Sequence, residues 1–162
     1  MGAVDIADPV MPDGYEDYHE VVTTLLRDTG RTEGVAYLTV DEKILEAGQT
    51  QRKPHPHVDG CFHPEAMYWG HGGGWNHICN HVPVSRMEIV VASTVPLCRL
   101  WDGIFDTEPK EDGDLSHFDF GEGFLAKANR GYHLNADCVH ESLPTQEKTE
   151  RQFLRIALPV KE

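Results

Sequence analysis

The feature that most constrains this chain is a change of hydrophobic period near residue 34. Before it, Tyr15, Tyr18, Val21, Val22, Leu25 and Leu26 recur every three or four residues and Gly30 supplies a stop, which predicts one amphipathic helix over 13–30. After it the period falls to two, beginning with Val35, Tyr37 and Thr39 against Ala36, Leu38 and Val40, and Asp41 and Glu42 read as the turn that follows. Candidate strands lie at 34–40, 55–62, 87–95, 97–105, 123–127, 130–134, 138–143 and 151–158, separated by stretches rich in Gly, Pro, Asn and Asp. One helix followed by about eight short strands predicts a mainly β fold, a sandwich or jelly roll with an N-terminal packed helix. Residues 1–12 carry Pro9 and Pro12 and little pattern, so an extended arm is expected there, ahead of helix 13–30 and a β core over 34–160.

A length of 162 residues fits one domain and can bury a real core, so a single domain over 1–162 is expected. Lys and Arg number 14 against 27 Asp and Glu, a formal charge of −13, and that field repels nucleic acid. Neither an apolar span of about 20 residues nor a charged segment followed by an apolar one is present, which points away from the membrane and toward the cytoplasm. Cys61, Cys79, Cys98 and Cys138 form no CxxC pair and read as buried thiols. Two connections are long for a compact domain: 63–86, with a glycine run at Gly70 and Gly72 to Gly74 between Trp69 and Trp75, and the acidic 106–122. Connections of that length are commonly lids or binding loops.

The residues that carry chemistry begin at Pro54-His55-Pro56-His57-Val58-Asp59-Gly60. In an extended segment His57 and Asp59 point to the same face, with Cα atoms about 6.5 Å apart. An imidazole and a carboxylate so placed can share one metal, and a third ligand must then come from another strand. The best candidate is His140, 140 − 59 = 81 residues later, which follows the polar turn Asn135-Ala136-Asp137 at the start of a strand. Two histidines and one carboxylate leave coordination positions open, the donor set associated with non-heme Fe(II) oxygenases.

The ordered set His57-Val58-Asp59, His140 and a following strand bearing Arg151 and Arg155 resembles the HxD…H…R pattern of the Fe(II)/2-oxoglutarate-dependent oxygenases. The resemblance spans residues 55–160 and includes the strand start Gly121-Glu122-Gly123-Phe124. It implies a double-stranded β-helix, Fe(II) held by His57, Asp59 and His140, and 2-oxoglutarate as cosubstrate. The implied reaction is oxidative decarboxylation of 2-oxoglutarate to succinate and CO2 with O2, coupled to hydroxylation of a C–H bond in a small molecule or an amino-acid side chain. In that family a basic residue on the last strand pairs with the distal carboxylate, and the planar fork of arginine suits the task. Arg151 follows His140 by 151 − 140 = 11 positions and Arg155 by 155 − 140 = 15, and period-two alternation puts both on one face with Phe153 and Ala157. Arg155 is preferred, because Arg155-Ile156-Ala157 resembles an RxS motif with Ala157 in place of the serine; Arg151 is then expected nearer the rim.

Other histidines compete for the metal. His133 shares a strand-like segment with Tyr132 and Leu134, and His55 shares the His57 face, where His55-Pro56-His57 partly imitates the HxH of cupins. His63, His71, His77 and His81 fall in the 63–86 connection and read as solvated. Arg86 and Arg99 read equally as contacts for an acidic substrate or as balance for the acidic surface. The competing functions are a cupin-type metal dioxygenase or isomerase that uses no 2-oxoglutarate, and a non-catalytic jelly-roll binding module.

Overall fold

The computed structural model describes residues 2–59, 62–63, 68–69, 87–107, 109–110, 113–135 and 137–159. The chain runs through β1 (Gly2–Asp5), a 3-10 turn (Glu16–Tyr18), α1 (His19–Asp28), β2 (Val35–Leu45), β3 (Phe62–His63), β4 (Tyr68–Trp69) and β5 (Met87–Ser93). It continues through β6 (Cys98–Trp101), β7 (Phe124–Leu125), β8 (Tyr132–Asn135), β9 (Val139–Ser142) and β10 (Thr149–Pro159). The fold is mainly β, with every ladder antiparallel: a large sheet in the order β1-β2-β10-β5-β8, a small one in the order β7-β6-β9, and the short pair β3-β4. No helix among the described residues is long and apolar enough to cross a membrane.

The expected arm at 1–12 is in part a strand. Gly2 to Asp5 pair with Leu38 to Val35, and Val4 is buried to 1% exposure against the helix. No local pattern announces β1, because its ladder partners lie 35 − 5 = 30 to 38 − 2 = 36 residues away. The expected turn at Asp41 and Glu42 is likewise strand: β2 runs on to Leu45, and Thr149 to Ala157 pair with Leu45 to Tyr37 without interruption. Charged residues tolerate that position because Lys43 and Arg52 lie near the Asp41 carboxylate and Glu42 accepts from the Tyr18 hydroxyl and from Gln152 Nε2.

Helix α1 is shorter than the predicted 13–30. Val22, Leu25 and Leu26 form its buried stripe, and Gly30 ends it at φ 74°, a left-handed position that costs an L side chain energy and glycine almost none. The helix covers the outer face of the large sheet. There Leu154, Ile156 and Leu158 of β10 meet Val4, Leu26 and Leu38, while the alternate residues Arg151, Phe153 and Arg155 face the other way. Being covered on both faces, β10 is almost continuously buried.

The small sheet has its own cover. Val58, Trp101, Leu115 and Val139 cluster with Phe105 and Phe120, and Trp101 Nε1 donates to Gly121 O at 3.0 Å. Residues 113–120 of the acidic connection therefore pack on the outer face of this sheet, not over its inner face as a flap. Gly123 matters here, since a Cβ on it would lie 2.7 Å from the Leu100 carbonyl. The expected strand 55–62 is not regular: within it His57 makes isolated bridges to His140 and Asp114, and β3 begins only at Phe62. Hydrogen bonds from Ser142 N to Lys53 O and between His57 and His140 nonetheless lay residues 53–58 along the free edge of β9.

Candidate metal centre

With two of the three hydrophobic clusters on the outer faces, the space between the sheets takes polar groups beside Ile89 and Leu134 of the third. It holds a cavity of about 320 Å³, walled by His57, Asp59 and His140 on the small-sheet side and by Arg151, Phe153 and Arg155 on the large-sheet side. Alternation explains the small-sheet wall: His57 and Asp59 face inward while Val58 between them is buried outside, and His140 and Ser142 face inward from β9.

His57 and His140 are direct cross-strand partners. His57 N donates to His140 O at 2.9 Å and His140 N to His57 O at 3.0 Å, which sets their ring centroids 4.3 Å apart. Each ring is oriented in the same manner: Nδ1 of His57 donates to His55 O at 2.7 Å and Nδ1 of His140 to Cys138 O at 2.9 Å. A carbonyl oxygen only accepts, so Nδ1 carries the proton and the neutral ring presents the lone pair of Nε2 to the cavity. Asp59 Oδ1 lies 3.8 Å from His140 Nε2. One ligand atom from each of His57, Asp59 and His140 falls within 4.8 Å of the others, so the three can hold one metal ion. Two neutral nitrogens and one carboxylate suit Fe(II), and they also suit Zn(II).

The electrostatics keep His57 and Asp59 deprotonated. Burial, and then the charge on neighbouring His140, holds the His57 ring at about 3. Burial alone would raise the Asp59 carboxyl, but Arg155, then His140 and His57, outweigh it and hold it below the ordinary carboxylate range. The Arg155 contact is a hydrogen-bonded ion pair, Nη1 to Oδ1 at 3.1 Å, with only 7% and 13% of the two side chains exposed.

The structure thus brings His57, Asp59, His140, Arg151 and Arg155 to one cavity, but gives the arginines different surroundings. Arg155 reaches the carboxylate of the metal group. Arg151 is not at a rim: it is 1% exposed, and its guanidinium donates from Nε to Ser93 Oγ at 2.9 Å and from Nη1 to Ser142 Oγ at 3.2 Å. It has no carboxylate within ion-pair distance among the described residues, and burial lowers its pKa from the ordinary value. Arg151 and Arg52 both sit over the Phe153 ring, at 5.6 and 5.5 Å from its centroid.

The rival histidines lie elsewhere. His133 is exposed and binds Glu88, which also takes Arg31. His55 lends its carbonyl to His57, while its own ring is 3.9 Å from Asp114. Arg99 pairs with Glu141 at 2.8 Å. Cys98 and Cys138 are half-buried free thiols, each pushed up to about 11 chiefly by burial. His71, His77, His81, Trp75, Arg86, Cys61 and Cys79 lie outside the described residues, as does most of the 63–86 connection; of His63 and Trp69 only the backbone pairing is described. Sequence reading missed Gln51, Arg52, Lys53 and Ser142 as cavity residues, and Ser93 as a partner of Arg151. Ser142 had a signal, because period two carries it to the face of His140. Comparison with protein-family models, with curated proteins and with solved structures finds no match to this chain.

Proposed function

We propose that the chain is an Fe(II)- and 2-oxoglutarate-dependent oxygenase that hydroxylates a C–H bond of a small molecule or an amino-acid side chain. The observation that carries this reading is the pairing, in one inter-sheet cavity, of the His57, Asp59 and His140 group with the buried cation Arg151. A metal site alone fits many proteins. A metal site facing a buried guanidinium without a carboxylate partner among the described residues fits a ligand that chelates at one end and carries an anion at the other.

Strand order supports a double-stranded β-helix. Apart from the separate β3-β4 pair, the segments from β2 onward alternate between the sheets: β2 in the large sheet, 53–58 beside the small one, β5 in the large, β6 and β7 in the small, then β8 large, β9 small and β10 large. In this reading His57, Asp59 and His140 would hold Fe(II), which would supply the O2 chemistry. Arg155 fixes the Asp59 carboxylate, and Arg151, steadied by Ser93 and Ser142, takes the distal carboxylate of 2-oxoglutarate. The role first expected of Arg155 thereby passes to Arg151. With a divalent ion bound, the two arginines and Asp59 leave a surplus of positive charge that a dicarboxylate offsets. Ile89, Val91, Leu100, Leu134 and Phe153 exclude water from the same space.

The test is an anaerobic titration of the Fe(II)-loaded chain with 2-oxoglutarate, followed by admission of O2. A charge-transfer absorption on binding and release of succinate on oxygenation are expected, both lost in His140→Ala. Tight metal binding with neither signal overturns the reading. Metal-dependent turnover without succinate would then assign a cupin-type dioxygenase or isomerase, and no turnover at all a binding module.

A further inference from the structure

One wall of the cavity is formed by three consecutive residues, Gln51, Arg52 and Lys53. Gln51 is only 6% exposed. Its Nε2 donates to Asp41 O at 2.6 Å. That contact fixes the amide, because turning it over would set two acceptor oxygens against each other. Oε1 is then buried and meets no donor among the described residues. A buried acceptor in that condition is costly unless a ligand or water supplies a hydrogen.

The neighbours define what such a ligand must be. Arg52 stands next to Gln51 in the wall, with its guanidinium held over Phe153 and only a long 3.8 Å contact to Asp41. Arg155 is taken by Asp59 and Glu141 by Arg99. The wall at 51–53 therefore combines one buried acceptor with two cationic side chains, in a protein whose formal charge is −13. An acceptor beside cations is complementary to a group that carries a hydrogen-bond donor beside an anion.

We propose that Gln51 is a specificity-determining residue and that the main substrate is a 2-amino or 2-hydroxy carboxylic acid, its ammonium or hydroxyl donating to Gln51 Oε1 and its carboxylate lying toward Arg52. The proposal rests on the reading of this cavity as the ligand site. It names a substrate that 2-oxoglutarate itself cannot mimic, since 2-oxoglutarate carries no donor at neutral pH.

The experiment uses acids matched in carbon skeleton: hexanoate, 2-hydroxyhexanoate and norleucine. Their affinities for the full chain are measured by calorimetry, once with Zn(II) and once with chelator. Wild type should bind the two donor-bearing acids at least about tenfold more tightly than hexanoate, the discrimination of roughly one buried hydrogen bond. Gln51→Met should bring all three to similar affinity, and Gln51→Glu should shift the preference toward norleucine, whose ammonium then faces a carboxylate. The second variant keeps the test sound if the first misfolds. Equal affinities in wild type would mean that water satisfies Gln51 and would overturn the proposal. A preference that survives Gln51→Met would place the donor contact on the metal and overturn it equally, as would a Gln51→Glu variant that ranks the acids as wild type does. None of these arms needs iron, 2-oxoglutarate or turnover, so their failure leaves the oxygenase reading to the succinate assay.

Discussion

The Arg155–Asp59 ion pair makes stability and metal binding interdependent, and Arg155→Met exposes the link. The two side chains are almost wholly withdrawn from water and bonded at 3.1 Å. Removing one partner of a buried pair leaves an uncompensated charge, at a cost of about 3 to 5 kcal/mol. In a domain of this size each kcal/mol moves Tm by roughly 2 to 4 °C, so the metal-free variant should melt about 6 to 20 °C below wild type. A divalent ion on Asp59 supplies the missing positive charge, so much of the loss should be recovered when metal is added. The rise in Tm on metal binding is therefore larger in Arg155→Met than in wild type. Circular dichroism melts in chelator and in saturating Zn(II) measure both numbers. A double variant with Asp59→Asn closes the cycle, because without the carboxylate the arginine has nothing to neutralise. If metal-free Arg155→Met melts within about 2 °C of wild type, or if the metal-induced rise is the same in both, the pair does not carry the energy assigned to it.

His57→Ala, Asp59→Ala and His140→Ala should each abolish stoichiometric metal binding in equilibrium dialysis while the far-ultraviolet spectrum stays folded; near wild-type affinity in any of them removes that residue from the ligand set. Arg151→Met should keep the metal and lose 2-oxoglutarate, with Kd raised at least about thirtyfold, since truncating one side of a buried charge pair costs about 2 to 5 kcal/mol; unchanged affinity in calorimetry would free Arg151 of that role. In the metal-free protein His57 is held at about 3, below its unfolded value near 6.5, so the unfolded chain takes up a proton first. Stability is then fully present above about pH 6.5 and lost as pH falls toward 3, with Asp59 adding to the loss below about 3.8. Urea unfolding over this range should show a shallower dependence in His57→Ala, and an identical slope would contradict the linkage.

Local pattern carried a good part of this molecule. Alternation in the last strand alone separates Arg151, Phe153 and Arg155 from Leu154 and Ile156, and alternation at 57–59 turns His57 and Asp59 to one face with Val58 on the other. Both follow from the pleat, which any extended segment has regardless of its neighbours. The stripe of Val22, Leu25 and Leu26 and the stop at Gly30 are local for the same reason.

What lay beyond the sequence was the identity of the partners across long separations. That β1 pairs with β2, that Asp41 and Glu42 are strand rather than turn, and that 113–120 covers Trp101 rather than the cavity are decided by sheet order and register. The surroundings of the two arginines were of this kind. Period two gives them the same face, but only the packing of one sheet on the other sets Arg155 against Asp59, 155 − 59 = 96 residues away in the chain, and leaves Arg151 between Ser93 and Ser142. Gln51 carries no motif at all; its acceptor matters because β2 supplies a carbonyl for its amide nitrogen and the fold leaves the oxygen buried without a donor among the described residues. A side chain's face is fixed by its own backbone, whereas its charge environment is fixed by whatever the fold brings opposite it.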